Sequence, residues 1–281
     1  MIPAARAALD AIGGATLIVT KARGHEKRCA RDALAAGAST IVVLGGDGTI
    51  SQVACELVRL KSVVPLAIFA GGTGNDFAKS LGAPVSNFAA MARLVAAQQT
   101  RTIDAGQIDD CVFVNSAGFG FDAEVVARTR DATRFRGQIV YIKASLEQLF
   151  RYRGFVARRL PRNEFGTNDA VVRDSRWLTM VFANGGWFGG SFRIAPEASL
   201  DDGLLDAVYI RDTSPLRRLA IFARALSGQH VTAPEVQVTR AAHFVLEFPS
   251  APLYQADGEL YQATSTRVEI RSLPGALRII A

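Results

Sequence analysis

Two short apolar runs, Thr40–Leu44 (TIVVL) and Pro65–Ala70 (PLAIFA), each end directly in a glycine turn. The first continues as Gly45-Gly46-Asp47-Gly48-Thr49 and the second as Gly71-Gly72-Thr73-Gly74-Asn75-Asp76. Continuous apolar runs of this length suit strands covered on both faces, as in a parallel sheet. A helix is expected from Ile50 to about Leu60, with Ile50, Val53, Ala54, Leu57 and Val58 on one face, and another over Asn87–Gln98. Upstream, Thr16–Thr20 (TLIVT) reads as a strand and His25–Ala36 as a helix with Cys29, Ala33 and Ala36 on one side. Strand, glycine turn, helix, twice over, predicts a doubly wound sheet with both turns at the carboxyl ends of its strands, where such sheets bind ligands.

The pattern changes after Asp104. Short strand-like runs at Cys111–Ser116, Leu178–Ala183, Leu205–Arg211, His243–Phe248 and Arg267–Ser272 alternate with turns rich in Gly, Asp and Pro. Ile139, Ile142, Leu146 and Leu149 have helical spacing, and Pro215–Leu226 reads as a second helix. The expected fold class is α/β plus β. A Rossmann-like N-terminal domain spans 1–104, and a mainly antiparallel β-sandwich domain spans 105–266.

Composition narrows the function classes. With 281 residues, 49% of them hydrophobic and 21% charged, the chain can bury a real core and is not expected to be disordered. No apolar run approaches the roughly 18 residues of a membrane-spanning helix. Asp10 interrupts the only candidate for a signal peptide, so a cytoplasmic protein is expected. Cys29, Cys55 and Cys111 show no metal-ligand spacing and suit free thiols in a reducing compartment. The net charge is +6. Between Arg128 and Arg162 lie ten Arg or Lys against two acids, Asp131 and Glu147. That run is either a solvated face or a surface for transient contact with anionic lipid headgroups. No nucleic-acid-binding motif accompanies it. Exposed edge strands would also suit a homodimer.

Glycines between a buried strand and a helix N-terminus let backbone N–H groups approach an anion. An acid within such a turn, Asp47, suits a phosphate site only if a cation or a polarised water intervenes. Neither a Walker A sequence nor G-x-G-x-x-G is present, which argues against a standard dinucleotide oxidoreductase. Farther on lie Asp201-Asp202-Gly203-Leu204-Leu205-Asp206 and Asp257-Gly258-Glu259. Each is either a hairpin turn or a set of carboxylates for metal binding or proton abstraction. His230 and His243 fit no catalytic arrangement and are expected to be structural.

The segments VVLGGDGTISQV, PLAIFAGGTGNDFAKSLG, RTIDAG, FVNSAGFGFDAEV, FANGGWFGGSFRIAPEASLDDGLLDAVYI, QADGELY and LPGALRII together resemble the diacylglycerol kinase catalytic-domain superfamily, in its bacterial lipid kinase branch, which is related to sphingosine and ceramide kinases. The resemblance implies a phosphofructokinase- and NAD-kinase-like first domain to which 267–281 returns. It further implies an ATP- and Mg2+-dependent kinase acting on a lipid hydroxyl. The segment Gly45, Gly46, Asp47, Gly48, Thr49, Ile50 and Ser51 would cradle the ATP phosphates. Thr20 and Thr73 would line the nucleotide, together with Gly72, Gly74 and Asn75. Asp47, Asp76 and Asp104 would hold the catalytic Mg2+, largely through water, and Asp257 or Glu259 would accept the lipid hydroxyl's proton. A structural Mg2+ would map to Ser199, Asp202 and the Leu204 carbonyl.

Three departures stand out. The family opens with a strand and an Asn-Pro-x-Ser-Gly-like phosphate loop, whereas this sequence opens on a helix. Either Met1 is a misassigned start or the sheet is one strand short. Gln52 replaces the usual Glu, and Ser199 replaces an Asp, which weakens the structural metal site unless Asp201 substitutes. The alternatives are a soluble-substrate kinase of the NAD kinase type and a catalytically impaired nucleotide or lipid binder. The lipid itself is left open among diacylglycerol, phosphatidylglycerol, a sphingoid base and an undecaprenol-like alcohol.

Overall fold

A computed structural model describes residues 2–11, 13, 15–85, 87–130, 147–160 and 175–280, without the side chains of 129 and 130. The N-terminal part contains α1 (Ile2–Asp10), α2 (His25–Ala35), β1 (Ile41–Gly45), α3 (Asp47–Arg59), β2 (Leu66–Ala70), α4 (Asp76–Leu81) and α5 (Phe88–Ala97). β1 and β2 pair in parallel from Ile41↔Leu66 to Gly45↔Ala70. Alternate residues of β2 enter two different cores, as the pleat requires. Leu66, Ile68 and Ala70 pack with Val53, Ala54 and Leu57 of α3, while Ala67 and Phe69 pack with Ala5 of α1 and Met91 of α5. All five residues predicted for the buried face of α3 are buried.

β3 (Thr100–Ile108) runs through Asp104 without a break. It is followed by β4 (Cys111–Phe113), β5 (Ser116–Gly120), α6 (Phe121–Arg130), β6 (Phe155–Arg159), β7 (Ser175–Ala183), β8 (Leu205–Arg211) and α7 (Pro215–Ala225). A 3-10 turn (Gln229–Thr232) leads to β9 (Val236–Ala241), β10 (His243–Glu247), β11 (Leu253–Ala256), β12 (Glu259–Gln262) and β13 (Arg267–Ile280). Apart from the pairings with β1 and β2, the described pairings are antiparallel. On one side of this sheet lies an aromatic core of Phe119, Trp177, Phe182, Tyr209 and Phe244. On the other side Val181, Val208 and Ile210 meet Val125 of α6 and Ile221 of α7. β13 joins the two halves. Its start pairs with β10, its length with β3, and its end lies parallel to β2 through Ile279↔Leu66 and Ile280↔Ala67.

Thr16–Thr20 is not a strand. Among the described residues it has no ladder partner, and Leu17, Ile18 and Val19 are 41%, 50% and 59% exposed. Strand propensity needs a ladder to become a strand, and this segment does not pair with the open edge of β1, whose partner among the described residues is β2. On α2 it is Ala30, with Ala33 and Leu34, that faces the core, while Ala36 is exposed. Ile139, Ile142 and Leu146 lie outside the described residues, and Leu149 is buried. No described helix is long and apolar enough to cross a membrane. The three cysteines are free thiols.

Candidate active site

The two glycine turns touch backbone to backbone. Gly71 N–H donates to Gly45 O at 2.9 Å. A Cβ placed on Gly72 would lie 2.5 Å from Gly46 Cα, so glycine at these positions is a packing requirement. Asn75 closes the second turn: its Oδ1 accepts from Gly72 N–H at 2.9 Å and its Nδ2 donates to Gly72 O at 2.9 Å. Its φ of 54° is left-handed, a conformation Asn tolerates better than most residues. Asp47, in the first turn of α3, accepts the Asn75 N–H at 2.7 Å through Oδ2. Its Oδ1 is shut off from solvent with no hydrogen-bond partner among the described residues. Gly74 leaves room for this carboxylate, since a Cβ there would stand 2.7 Å from Asp47 Oδ2.

Asp76 begins α4 and accepts the Gly190 N–H on both oxygens, at 3.0 and 2.9 Å. Burial, with the charge of Asp47 adding to it, pushes its carboxyl up to about 6 against the pull of these hydrogen bonds and of Lys79. Lys79 donates to Gly190 O at 2.5 Å and lies over the Trp187 ring. Thus 187–190, from the β domain, closes over the second glycine turn.

Asp257 and Gly258 form the two-residue turn between β11 and β12, with φ of 48° and 81°. Positive φ at both positions is what a type I′ hairpin turn requires, and Asp-Gly supplies it. The Asp257 carboxylate is fully engaged. Oδ2 accepts from Ser51 Oγ at 2.7 Å and Val114 N–H at 2.8 Å; Oδ1 accepts from Asn115 N–H at 2.9 Å and Ser116 N–H at 3.0 Å. Burial still raises its pKa above the ordinary carboxylate value, although the hydrogen bonds oppose it. Ser51 is four residues, about one turn, after Asp47, so α3 carries both contacts on one face. Glu259, by contrast, retains 22% side-chain exposure and pairs with Arg23.

Asp104 sits apart from Asp47 and Asp76 in its bonding. Its Oδ2 accepts from Gly203 N–H at 2.6 Å and its Oδ1 from Gly275 N–H at 2.8 Å. It ties β3 to the 201–204 loop and to the irregular middle of β13. In that loop Leu204 N–H donates to Asp202 Oδ1 at 2.9 Å and Ser199 Oγ to Asp201 Oδ1 at 2.7 Å. Among the described residues no three His, Cys, Asp or Glu converge as a metal site. Asp47 and Asp76 nevertheless suit Mg2+: one offers a buried oxygen without a donor among the described residues, and the two carboxylates repel each other. Mg2+ usually takes only one or two carboxylates, with phosphates and waters completing its shell.

Ile50 is fully buried in the core, and its N–H donates to Gly46 O at 3.1 Å, so it offers no ligand-facing surface. Thr49 packs under Gly45, while Gly48, Thr73 and Thr20 are exposed. Sequence reasoning assigned no role to Arg23, Asn115, Asn184 or Gly190. Asn115 Nδ2 donates to Trp187 O at 2.8 Å, and Asn184 Nδ2 bridges Asp104 O at 2.9 Å and Val114 O at 2.8 Å. The available signal was an Asn ending an apolar run in both FVNSAG and FANGG.

Beside the 187–190 segment, a cavity of about 370 Å3 opens in the β domain. Its lining is largely apolar, including Phe121, Val181, Phe188, Ile221, Phe222 and Leu226, with Asp122 and Thr179 in its wall. The basic run is only partly a free surface. Arg128 pairs with Glu124 and Arg158 with Glu247, and Arg159 is buried against the Phe244 ring. Arg151 and Arg153 are exposed, and Arg134, Arg136, Lys143 and Arg162 lie outside the described residues.

Residues 2–108 match the family model for the diacylglycerol kinase catalytic domain, and 115–281 match that for the YegS C-terminal NAD kinase beta sandwich-like domain. A diacylglycerol kinase of Mycobacterium tuberculosis is 34% identical over 254 residues, covering 88% of this chain and 78% of its own. A Pseudomonas aeruginosa protein named "Probable lipid kinase YegS-like" is 31% identical, covering 93% and 82%. Among solved structures, a diacylglycerol kinase from Bacillus anthracis superposes with a TM-score of 0.71 at 20% identity, over 97% of this chain and 87% of that one. An NAD kinase from Archaeoglobus fulgidus in complex with ATP has the same general fold, with a TM-score of 0.55 at 14% identity, over 100% and 89%.

Proposed function

The chain belongs to the diacylglycerol kinase catalytic-domain family, and from that membership we propose that this lipid kinase transfers the γ-phosphoryl group of ATP to a hydroxyl of a membrane lipid such as diacylglycerol. The observation that carries the reading is the contact of Gly46 with Gly72 beside a carboxylate oxygen of Asp47 that has no donor among the described residues. Backbone N–H groups at the start of α3 have no partners within the helix and would bind the phosphates. Asp47 and Asp76 would hold Mg2+, which when bound neutralises charge on the phosphates. Asp104 would keep the 201–204 loop and β13 in place around them, and a structural Mg2+ at Ser199, Asp202 and Leu204 would add to that tie.

Of the two carboxylates at the β11–β12 turn, Glu259 is the base. It is the one with exposed surface, and Arg23 pairs with it. Asp257 spends its acceptor capacity on four donors and fixes the turn against α3. The apolar cavity beside Phe188 would take the acyl part of the substrate. Transient docking on anionic membrane would use the exposed arginines and would weaken as salt is raised.

The test is transfer of labelled γ-phosphate from ATP into a panel of lipids in mixed micelles with Mg2+, with Glu259→Gln as control. Label in one lipid class, lost in the control, supports the reading and identifies the acceptor. ATP binding with no label in any lipid would overturn it in favour of a nucleotide binder, and NADP formed from NAD in favour of a soluble-substrate kinase.

A further inference from the structure

Behind the Asp257-Gly258-Glu259 turn lies another buried carboxyl group, Asp122, that no step of the transfer uses. It stands at the start of α6 and is 3% exposed. Its Oδ1 accepts from Thr179 Oγ1 at 3.0 Å, and its Oδ2 accepts from Gln255 Nε2 at 3.1 Å. Gln255, 1% exposed, uses the other end of its amide to accept the Gly258 N–H at 2.9 Å. The two contacts fix the amide's orientation: its nitrogen must face Asp122, which leaves its oxygen for the turn. Space for the carboxyl group comes from Gly118, where a Cβ would fall 1.9 Å from Asp122 Oδ2. A carboxyl group buried this deeply has a desolvation cost even when hydrogen-bonded, and calls for a use.

We propose that Asp122 is a positioning residue for phosphoryl transfer: through Gln255 it holds the Gly258 N–H and thereby sets the direction in which Glu259 leaves the turn. This rests on the reading of Glu259 as the base. Two states of the carboxyl group serve the same geometry. Ionised, it accepts from Thr179; protonated, it donates to Thr179, whose hydroxyl then turns to the Phe119 carbonyl at 3.2 Å. In both, Oδ2 remains an acceptor for Gln255, so the relay holds on either side of the group's titration, which burial has moved up to about 6.

The experiment combines lipid kinase kinetics with one structural signal in the full chain. Asp-Gly occurs three times, at 47–48, 202–203 and 257–258, so labelling Asp carbonyl carbon and Gly nitrogen isolates the Gly258 amide among three NMR peaks. Gln255→Met and Asp122→Leu are each expected to shift the Gly258 peak and lower kcat by roughly ten- to hundredfold, the scale of a small misplacement of a reacting group. The double variant should be no worse than the poorer single one. Asp122→Asn, whose amide oxygen can still accept from Gln255, should recover most of what Asp122→Leu loses and leave the peak near its wild-type position. Effects that multiply, or an Asp122→Leu variant that raises the lipid KM while kcat and the Gly258 peak stay put, would overturn the proposal and make Asp122 a cavity contact only. If Asp122→Leu does not fold, Gln255→Met against Asp122→Asn still decides it. Should the wild type phosphorylate no lipid, the kinase reading fails, and the Gly258 peak still judges the relay.

Discussion

Glu259 and Asp257 are two positions apart, yet their surroundings give them opposite tasks. Glu259→Gln keeps the shape and removes the base, so kcat should fall by about a hundredfold or more while the melting temperature hardly moves. Asp257→Ala leaves four donors without their acceptor, three of them backbone N–H groups. At about 1–3 kcal/mol for each buried donor left unpaired, that variant should show a clear loss of melting temperature as well as of activity. Assay and melting curve, run side by side, separate the two roles. Asp122 supplies a pH test. Its folded pKa, moved from 3.8 to about 6, lies above that of the unfolded chain, so the folded protein binds more protons between these values. Stability is therefore greatest below about pH 4 in this contribution and falls as pH rises through 6. Asp122→Asn should flatten that decline in melting curves recorded from pH 4 to 7.

At the scale of elements, α3 is the connecting part. Its apolar face was legible in the sequence, because Ile50, Val53, Ala54, Leu57 and Val58 recur at helical spacing and are buried. Its start was not. The helix begins at Asp47, three residues earlier than periodicity suggested, because glycines at the turn carry no apolar signal while the turn's own backbone continues into the helix. The close approach of the two glycine turns gives a direct prediction. Gly72→Ala has no adverse φ to contend with, but its Cβ would meet Gly46 Cα at 2.5 Å. Forcing the turns apart at a cost of about 1–3 kcal/mol should weaken ATP binding by roughly tenfold or more, read by calorimetric titration. The TLIVT segment shows the opposite limit: strand propensity alone did not make a strand, although the outer edge of β1 is unpaired among the described residues.

For the molecule as a whole, Asp104 and β13 hold the halves together. Asp104→Ala would free the Gly203 and Gly275 N–H groups and loosen the loop, β3 and β13 at once. A loss of about 2–4 kcal/mol is expected, measured by urea unfolding, with activity falling even where the protein remains folded. What the sequence by itself determined was local: the buried strands, their glycine turns, the α3 face and the Asp-Gly hairpin follow from the preferences of adjacent residues. Motif order was enough to place the chain among lipid kinases. What only the tertiary structure decided was which groups meet. Asp257 bonds Ser51 206 positions away, Asp76 bonds Gly190, and Gln255 joins Asp122 to Gly258. The first two pairings cross between the halves, and the third joins β11 to α6. A carboxylate's role depends on how many donors reach it and how much water remains, and neither quantity is written in neighbouring residues.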